Sequence, residues 1–127
     1  DEPLFMHVAR SLNPLAQRLK GETTHWSGLM LVAGATGPNE ARALRDAAPD
    51  CPFLVPGYGA QGAGAREAVA GFVSGPTGLE GGVVNASRSV TFPKPADNAD
   101  TIQDWELAIS TAIKHAQDDL IAATRAN

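Results

Sequence analysis

Phe53-Leu54-Val55-Pro56-Gly57-Tyr58-Gly59-Ala60-Gln61-Gly62-Ala63-Gly64 is the stretch on which the fold reading rests. Its first three residues are a short apolar run closed by Pro56-Gly57, which reads as a buried strand. Four glycines then fall within the eight residues from Gly57 to Gly64. A glycine-rich loop directly after a strand lets backbone N–H groups approach an anion, and Ala65 to Val73 read as a short helix whose amino terminus adds a favourable field. The alternative for this loop is a tight turn needing positive φ. No Gly-Lys-Ser/Thr follows, so it is not a Walker loop. Gly57-Tyr58-Gly59-Ala60-Gln61-Gly62 fits the letters of a dinucleotide fingerprint, but no acidic residue is expected at a strand end about 20 residues on.

Outward from this stretch, strands and helices alternate. Upstream, Gly28 to Gly34 is a continuous apolar run bounded by glycines, as for a strand buried on both faces. Thr36 can cap a helix from about Pro38 to Ala48, with Pro38 in its first turn, Glu40 near its positive end and Ala41, Leu44 and Ala48 inward; Pro49 stops it. Further upstream, Leu4, Val8, Leu12, Leu15 and Leu19 form an apolar stripe along a helix from Pro3 to Lys20 that Pro14 kinks or divides. Downstream, Gly82 to Asn85 reads as a third strand. Phe92 to Pro95 then forms a rigid connector. Asp100 and Gln103 resemble a capping box for a final helix whose apolar face is Ile102, Trp105, Ile109, Ala112, Ile113, Ala116 and Leu120. Such alternation is the pattern of parallel βαβ units in an α/β fold, here about three parallel strands ending in a long helix.

Composition narrows the function classes. Ten Lys+Arg against fourteen Asp+Glu leave the 127 residues at a net charge of −4, without the clustered positive charge that nucleic-acid binding needs. No apolar run is long enough for a membrane span, and Asp1-Glu2-Pro3 does not open a signal peptide, so neither is expected. The single Cys51 cannot form an internal disulfide, reads as a small loop or core residue before Pro52, and fits a reducing, cytoplasmic setting. His7, His25 and His115 share no ligand spacing, so no metal site is expected. Asp118-Asp119 reads as a solvated helix face, and Trp105 with Ile109 as core or dimer contacts.

A second candidate group follows the third strand. Asn85-Ala86-Ser87-Arg88 places a planar, permanently charged fork at a strand's carboxyl end, a geometry suited to phosphate. In a barrel, neighbouring strands bring such loops side by side, so the Gln61 loop and Arg88 can close on one anion. By itself Arg88 reads first as a surface ion-pair partner; paired with the glycine loop it reads as a phosphate contact.

Gly34-Ala35-Thr36 with Pro38 and Glu40, then Phe53 through Gly62, then Asn85 through Arg88 together resemble the longer bacterial type of orotidine 5′-phosphate decarboxylase. That family carries Gly-Ala-Thr, Pro-Gly-x-Gly-Ala-Gln-Gly-Gly and Asn-Ser-Ser-Arg-Gly on its last three strands, in this order. The resemblance spans about Leu4 to Phe92 and implies the carboxyl-terminal part of a TIM (β/α)8 barrel, with residues 1–127 as a single partial domain. It assigns Gln61 to base and phosphate, Arg88 to phosphate with Ser87 beside it, Pro56 to the base, and Tyr58, Gly57 and Gly62 to the same pocket. Ala63, Ala86 and Ser89 depart from the family letters.

The resemblance also implies cofactor-free decarboxylation of orotidine 5′-phosphate to uridine 5′-phosphate in pyrimidine synthesis, by a homodimer. The family's catalytic Asp-x-Lys-x-x-Asp is absent: the residues two before Lys20, Lys94 and Lys114 are Arg18, Phe92 and Ala112. Three parallel strands cannot close a barrel, so a missing amino-terminal barrel segment is the expected partner, and the chain alone is expected to be inactive. Two other readings stay open: another phosphate-binding barrel, such as a sugar-phosphate decarboxylase or aldolase, and a non-catalytic phosphate-ligand module.

Overall fold

Phe53–Val55 is the middle strand of a three-stranded parallel sheet. The computed structural model describes residues 2–125; Asp1, part of the amino-terminal stretch read above, lies outside them. In chain order the elements are α1 (Leu4–Arg18), β1 (Leu31–Val32), α2 (Pro38–Ala47), β2 (Phe53–Val55), α3 (Ala65–Ala68), β3 (Val73–Gly75), β4 (Gly78–Glu80), β5 (Gly82–Val84), α4 (Arg88–Thr91), a 3₁₀ turn (Lys94–Asn98) and α5 (Ile102–Arg125). The sheet order is β1-β2-β5, with Val32 opposite Leu54 and Leu54 opposite Val83. Backbone bonds from Ala33 to Leu54, Ala35 to Pro56 and Asn85 to Val55 carry the ladder past the strand ends.

The two faces of this sheet differ. Phe53, Val55, Ala33 and Ala35 are buried against the helices, while Val32, Leu54 and Val83 are 67%, 39% and 53% exposed on the other side. The expectation of burial on both faces is therefore corrected: side chains alternate along a strand, and among the described residues only the helix-facing side is covered.

Several other expectations change. α1 runs through Pro14 as one helix and turns Met6, Ala9 and Ala16 inward, leaving Leu4, Val8, Leu15 and Leu19 exposed. Small residues let α1 come close to its neighbours, and Asn13 donates a 2.9 Å bond to the Ala47 carbonyl on α2. α2 begins after Gly37, not after a Thr36 cap. The helix expected over Ala65 to Val73 stops at Ala68, and Val73 starts an antiparallel hairpin, β3–β4, around Pro76-Thr77. Glu80 does stand at a strand end about 20 residues beyond the glycine loop, but in an antiparallel hairpin and not in the βαβ unit of a dinucleotide site. Part of the Phe92–Pro95 connector is 3₁₀ helix.

The cap of α5 lies one residue later than expected. Thr101 Oγ1 accepts from the Asp104 backbone N–H at 3.1 Å and donates to its carboxylate at 2.6 Å. Ala116, Leu120 and Ala123 pack on the core, whereas Ile102 and Trp105 are largely exposed.

The amino-terminal end of the sheet is fastened by Arg45, which is 7% exposed. Its guanidinium donates to the carbonyls of Gly71 (2.8 Å), Pro49 (3.0 Å), Cys51 (2.7 Å) and Gly81 (2.8 Å), and lies over the Phe53 and Trp26 rings at 4.0 and 5.1 Å. Burial lowers its pKa from the ordinary arginine value. Cys51 beside it is buried, and burial raises the thiol pKa, as suits a core residue.

Candidate functional site

Because β1, β2 and β5 are parallel neighbours, the segments after them emerge at one end of the sheet: Ala33-Gly34-Ala35-Thr36, Pro56 to Gly64, and Asn85 to Arg88. The parallel topology alone brings these three motifs together. It is the arrangement in which α/β proteins place ligands, outside the carboxyl ends of parallel strands.

The middle loop depends on glycine. Gly57, Gly59 and Gly62 take φ of 99°, 72° and 90°, and among the described residues none but glycine has positive φ. Ala63 therefore fits where the family letters have glycine: it has no positive φ and its methyl is buried. Ser89 fits as well, as part of α4, with its side chain against Gly59: a Cβ on Gly59 would lie 3.1 Å from Ser89 Oγ. That contact brings the second loop against the third.

Four of the loop's N–H groups are already bonded within the chain. The N–H groups of Gly59, Ala60 and Gly62 donate to the carbonyls of Ala63, Tyr58 and Gly59, and Gly64 N–H donates to the Glu67 carboxylate at 3.1 Å. α3 has four residues, too few for a strong dipole, and Glu67 already holds its amino terminus. Beside the loop's backbone, two exposed side chains are also available to an anion, Gln61 and Arg88. Gln61 leans back over Gly57, where a Cβ would lie 3.2 Å from Gln61 Oε1. Arg88 stands at the start of α4 and has no ion-pair partner among the described residues. Ser87 Oγ accepts from the Asn85 amide at 3.2 Å, and Pro56 is half-buried at the root of the loop.

Tyr58 is placed differently from these. Its ring is buried, and its hydroxyl donates to Asp119 on α5 at 2.8 Å. Burial, then the hydrogen bond to Asp119 and that group's charge, push its pKa up to about 12. Asp119 is exposed, as the solvated-face reading expects, and its carboxylate also takes this bond from the loop. The spacing Ala116, Asp119, Leu120, Ala123 is the signal that puts it on the inner side of α5. Asp118 faces solvent as well, paired with Lys114 at 3.1 Å. Between the loop and α5 lies a mainly apolar cavity of about 710 Å³, bordered by Tyr58, Gly59, Ala63, Ser89, His115 and Asp119 among others. Among the described residues no three His, Cys, Asp or Glu side chains form a metal cluster, and no helix is long and apolar enough to cross a membrane.

No protein-family model matches the chain. It is 39% identical over 120 residues to an orotidine 5′-phosphate decarboxylase of Halobacterium salinarum, covering 94% of this chain and 39% of the relative. A second one, from Leptothrix cholodnii, is 40% identical over 92 residues, 70% of this chain and 32% of its own length. The chain is homologous to part of an orotidine 5′-phosphate decarboxylase. Among solved structures, an orotidine-monophosphate decarboxylase of Toxoplasma gondii aligns with 94% of the chain and 44% of its own at 27% identity, TM-score 0.61. Leishmania donovani UMP synthase aligns with 98% of the chain and 23% of its own at 28% identity, TM-score 0.63. The α/β architecture of parallel strands and a long last helix is therefore a portion of the decarboxylase TIM barrel. The chain spans less than half the length of each of these proteins.

Proposed function

We propose that this chain supplies the phosphate- and base-binding part of an orotidine 5′-phosphate decarboxylase. The observation that carries the reading is that the three motifs matching this family stand on neighbouring parallel strands and open at one end of the sheet. In this proposal Arg88 grips the substrate phosphate with Ser87 beside it. Gln61 spans phosphate and base, Pro56 lies against the base, and Gly57 and Gly62 give the loop its path. Tyr58 shapes the pocket from below, through its position in that loop.

Cleavage of the carboxylate carbon from the pyrimidine releases carbon dioxide and leaves an electron pair on the ring carbon, which takes up a proton to give uridine 5′-phosphate. No cofactor enters this scheme. The proton donor is a lysine of an Asp-x-Lys-x-x-Asp array on the remainder of the barrel, since these 127 residues contain no such motif. This chain contributes binding energy remote from the reacting carbon, which supports the transition state when the grip tightens there. The remainder of the barrel is the partner, within a homodimeric cytoplasmic enzyme.

The test is Arg88→Ala in the enzyme assembled from this chain and the complementary barrel segment. Loss of a charge-assisted phosphate contact is expected to lower kcat/KM by roughly 10- to 100-fold. An unchanged kcat/KM would sink the proposal. The missing lysine motif favours one second reading, a non-catalytic phosphate-ligand module. A chain that folds alone and binds uridine 5′-phosphate tightly, with no gain on adding the complementary segment, would support that reading instead.

A further inference from the structure

We propose that Asp119 is a positioning residue for the glycine loop, acting through the Tyr58 hydroxyl to tie residues 57–63 to α5. Tyr58 stands between two glycines whose φ values, 99° at Gly57 and 72° at Gly59, lie where side-chain-bearing residues seldom go. Such a segment has little conformational preference of its own and takes its direction from contacts. Its backbone bonds, Gly59 to Ala63, Ala60 to Tyr58 and Gly62 to Gly59, all close within the loop. Among the described residues, the 2.8 Å bond from Tyr58 to Asp119 is the one hydrogen bond joining residues 57–63 to another element.

Packing holds the inner side of the loop, where Tyr58 and Ala63 are buried in the core, and the bond acts on the side toward α5. A cavity of about 710 Å³ separates this part of the loop from much of α5, and the bond from Tyr58 to Asp119 crosses its border. α5 is a firm anchor, because Ala116 and Leu120, flanking Asp119 on the helix, pack on the core. A tether to a packed helix fixes the direction of Tyr58, and with it the loop that carries Gln61. The inference rests on the phosphate reading only for its functional consequence; the tether itself concerns the free chain.

Tyr58 is the single tyrosine of the sequence, so phenol absorbance reports on it alone. In the unmodified chain the phenol is expected to remain protonated near pH 10.5, where an ordinary tyrosine at about 10 is mostly ionised. Asp119→Ala should move ionisation to lower pH and accelerate amide hydrogen exchange at Gly59 and Gly62 about tenfold, as for loss of one hydrogen bond to a charged group. Tyr58→Phe, which keeps the ring in place, should accelerate the same amides equally, and the double variant no further. Asp119→Asn, which keeps an acceptor, should restore slow exchange.

Unchanged exchange in a folded Tyr58→Phe chain, or additive effects in the double variant, would overturn the tether. Titration with uridine 5′-phosphate separates the two claims. If the assembled enzyme shows no phosphate-dependent response at Arg88 while the exchange results hold, the phosphate reading fails and the tether stands.

Discussion

Arg45 carries a large share of the structure for one side chain, and no sequence pattern announces it. Its fork meets carbonyls from five separate residues, Ala48 among them, and lies over two aromatic rings. Substitution leaves those carbonyls without a donor in a site that water reaches poorly, so Arg45→Met is expected to destabilise the chain by roughly 3 kcal/mol in urea unfolding. Arg45→Lys should recover only part of this, because a point charge cannot reproduce the fork. A loss within about 0.5 kcal/mol, the range of ordinary surface changes, would show that the carbonyls find other donors. Tyr58 gives a second expectation at this scale. Its folded pKa of about 12 lies above the ordinary tyrosine value, so the protonated phenol favours the fold below about pH 10. That contribution is lost as pH rises from about 10 to about 12, and Tyr58→Phe should flatten this part of the stability profile.

At the scale of elements, the start of α5 tests the local rules. Thr101 caps it through Asp104, so Thr101→Ala is expected to lose about 1 kcal/mol, and Asp100→Ala close to nothing; amide exchange in the first turn reads both. The reverse ranking would restore the cap at Asp100 that the sequence pattern suggests. The same contrast shows what was legible. The three parallel strands and the order of the motifs could be read because Phe53–Val55 and its neighbours are apolar runs closed by turn residues. The β3–β4 hairpin could not, because Val73 follows an alanine-rich run of helical character, although Gly75-Pro76-Thr77-Gly78 is a turn signal in retrospect. The outward leucines of α1 also went against pattern: a stripe identifies an apolar face but not which partner it meets. At the site, Gln61 and Arg88 were visible from the letters around them. Asp119 was hidden because its role depends on a tyrosine 61 positions away in sequence.

At the scale of the whole molecule, the sheet has one covered face and one open face. Val32, Leu54 and Val83 lie in register across β1, β2 and β5 on the open side, the side that faces the interior when parallel strands close into a barrel. A charge placed there should therefore have opposite consequences in two settings. In a polypeptide of these 127 residues alone, Leu54→Asp adds a solvated carboxylate to an exposed apolar row, and is expected to lower binding of a hydrophobic dye and reduce self-association. In the assembly with the complementary barrel segment, the same carboxylate enters a packed interior, and unfolding should become easier by roughly 3 kcal/mol or more. Denaturation of the assembly and dye binding by the chain alone read the two arms. If Leu54→Asp is equally mild in both, the open face is not the inner wall of a barrel, and the claim that the remainder of a decarboxylase closes over it fails with it.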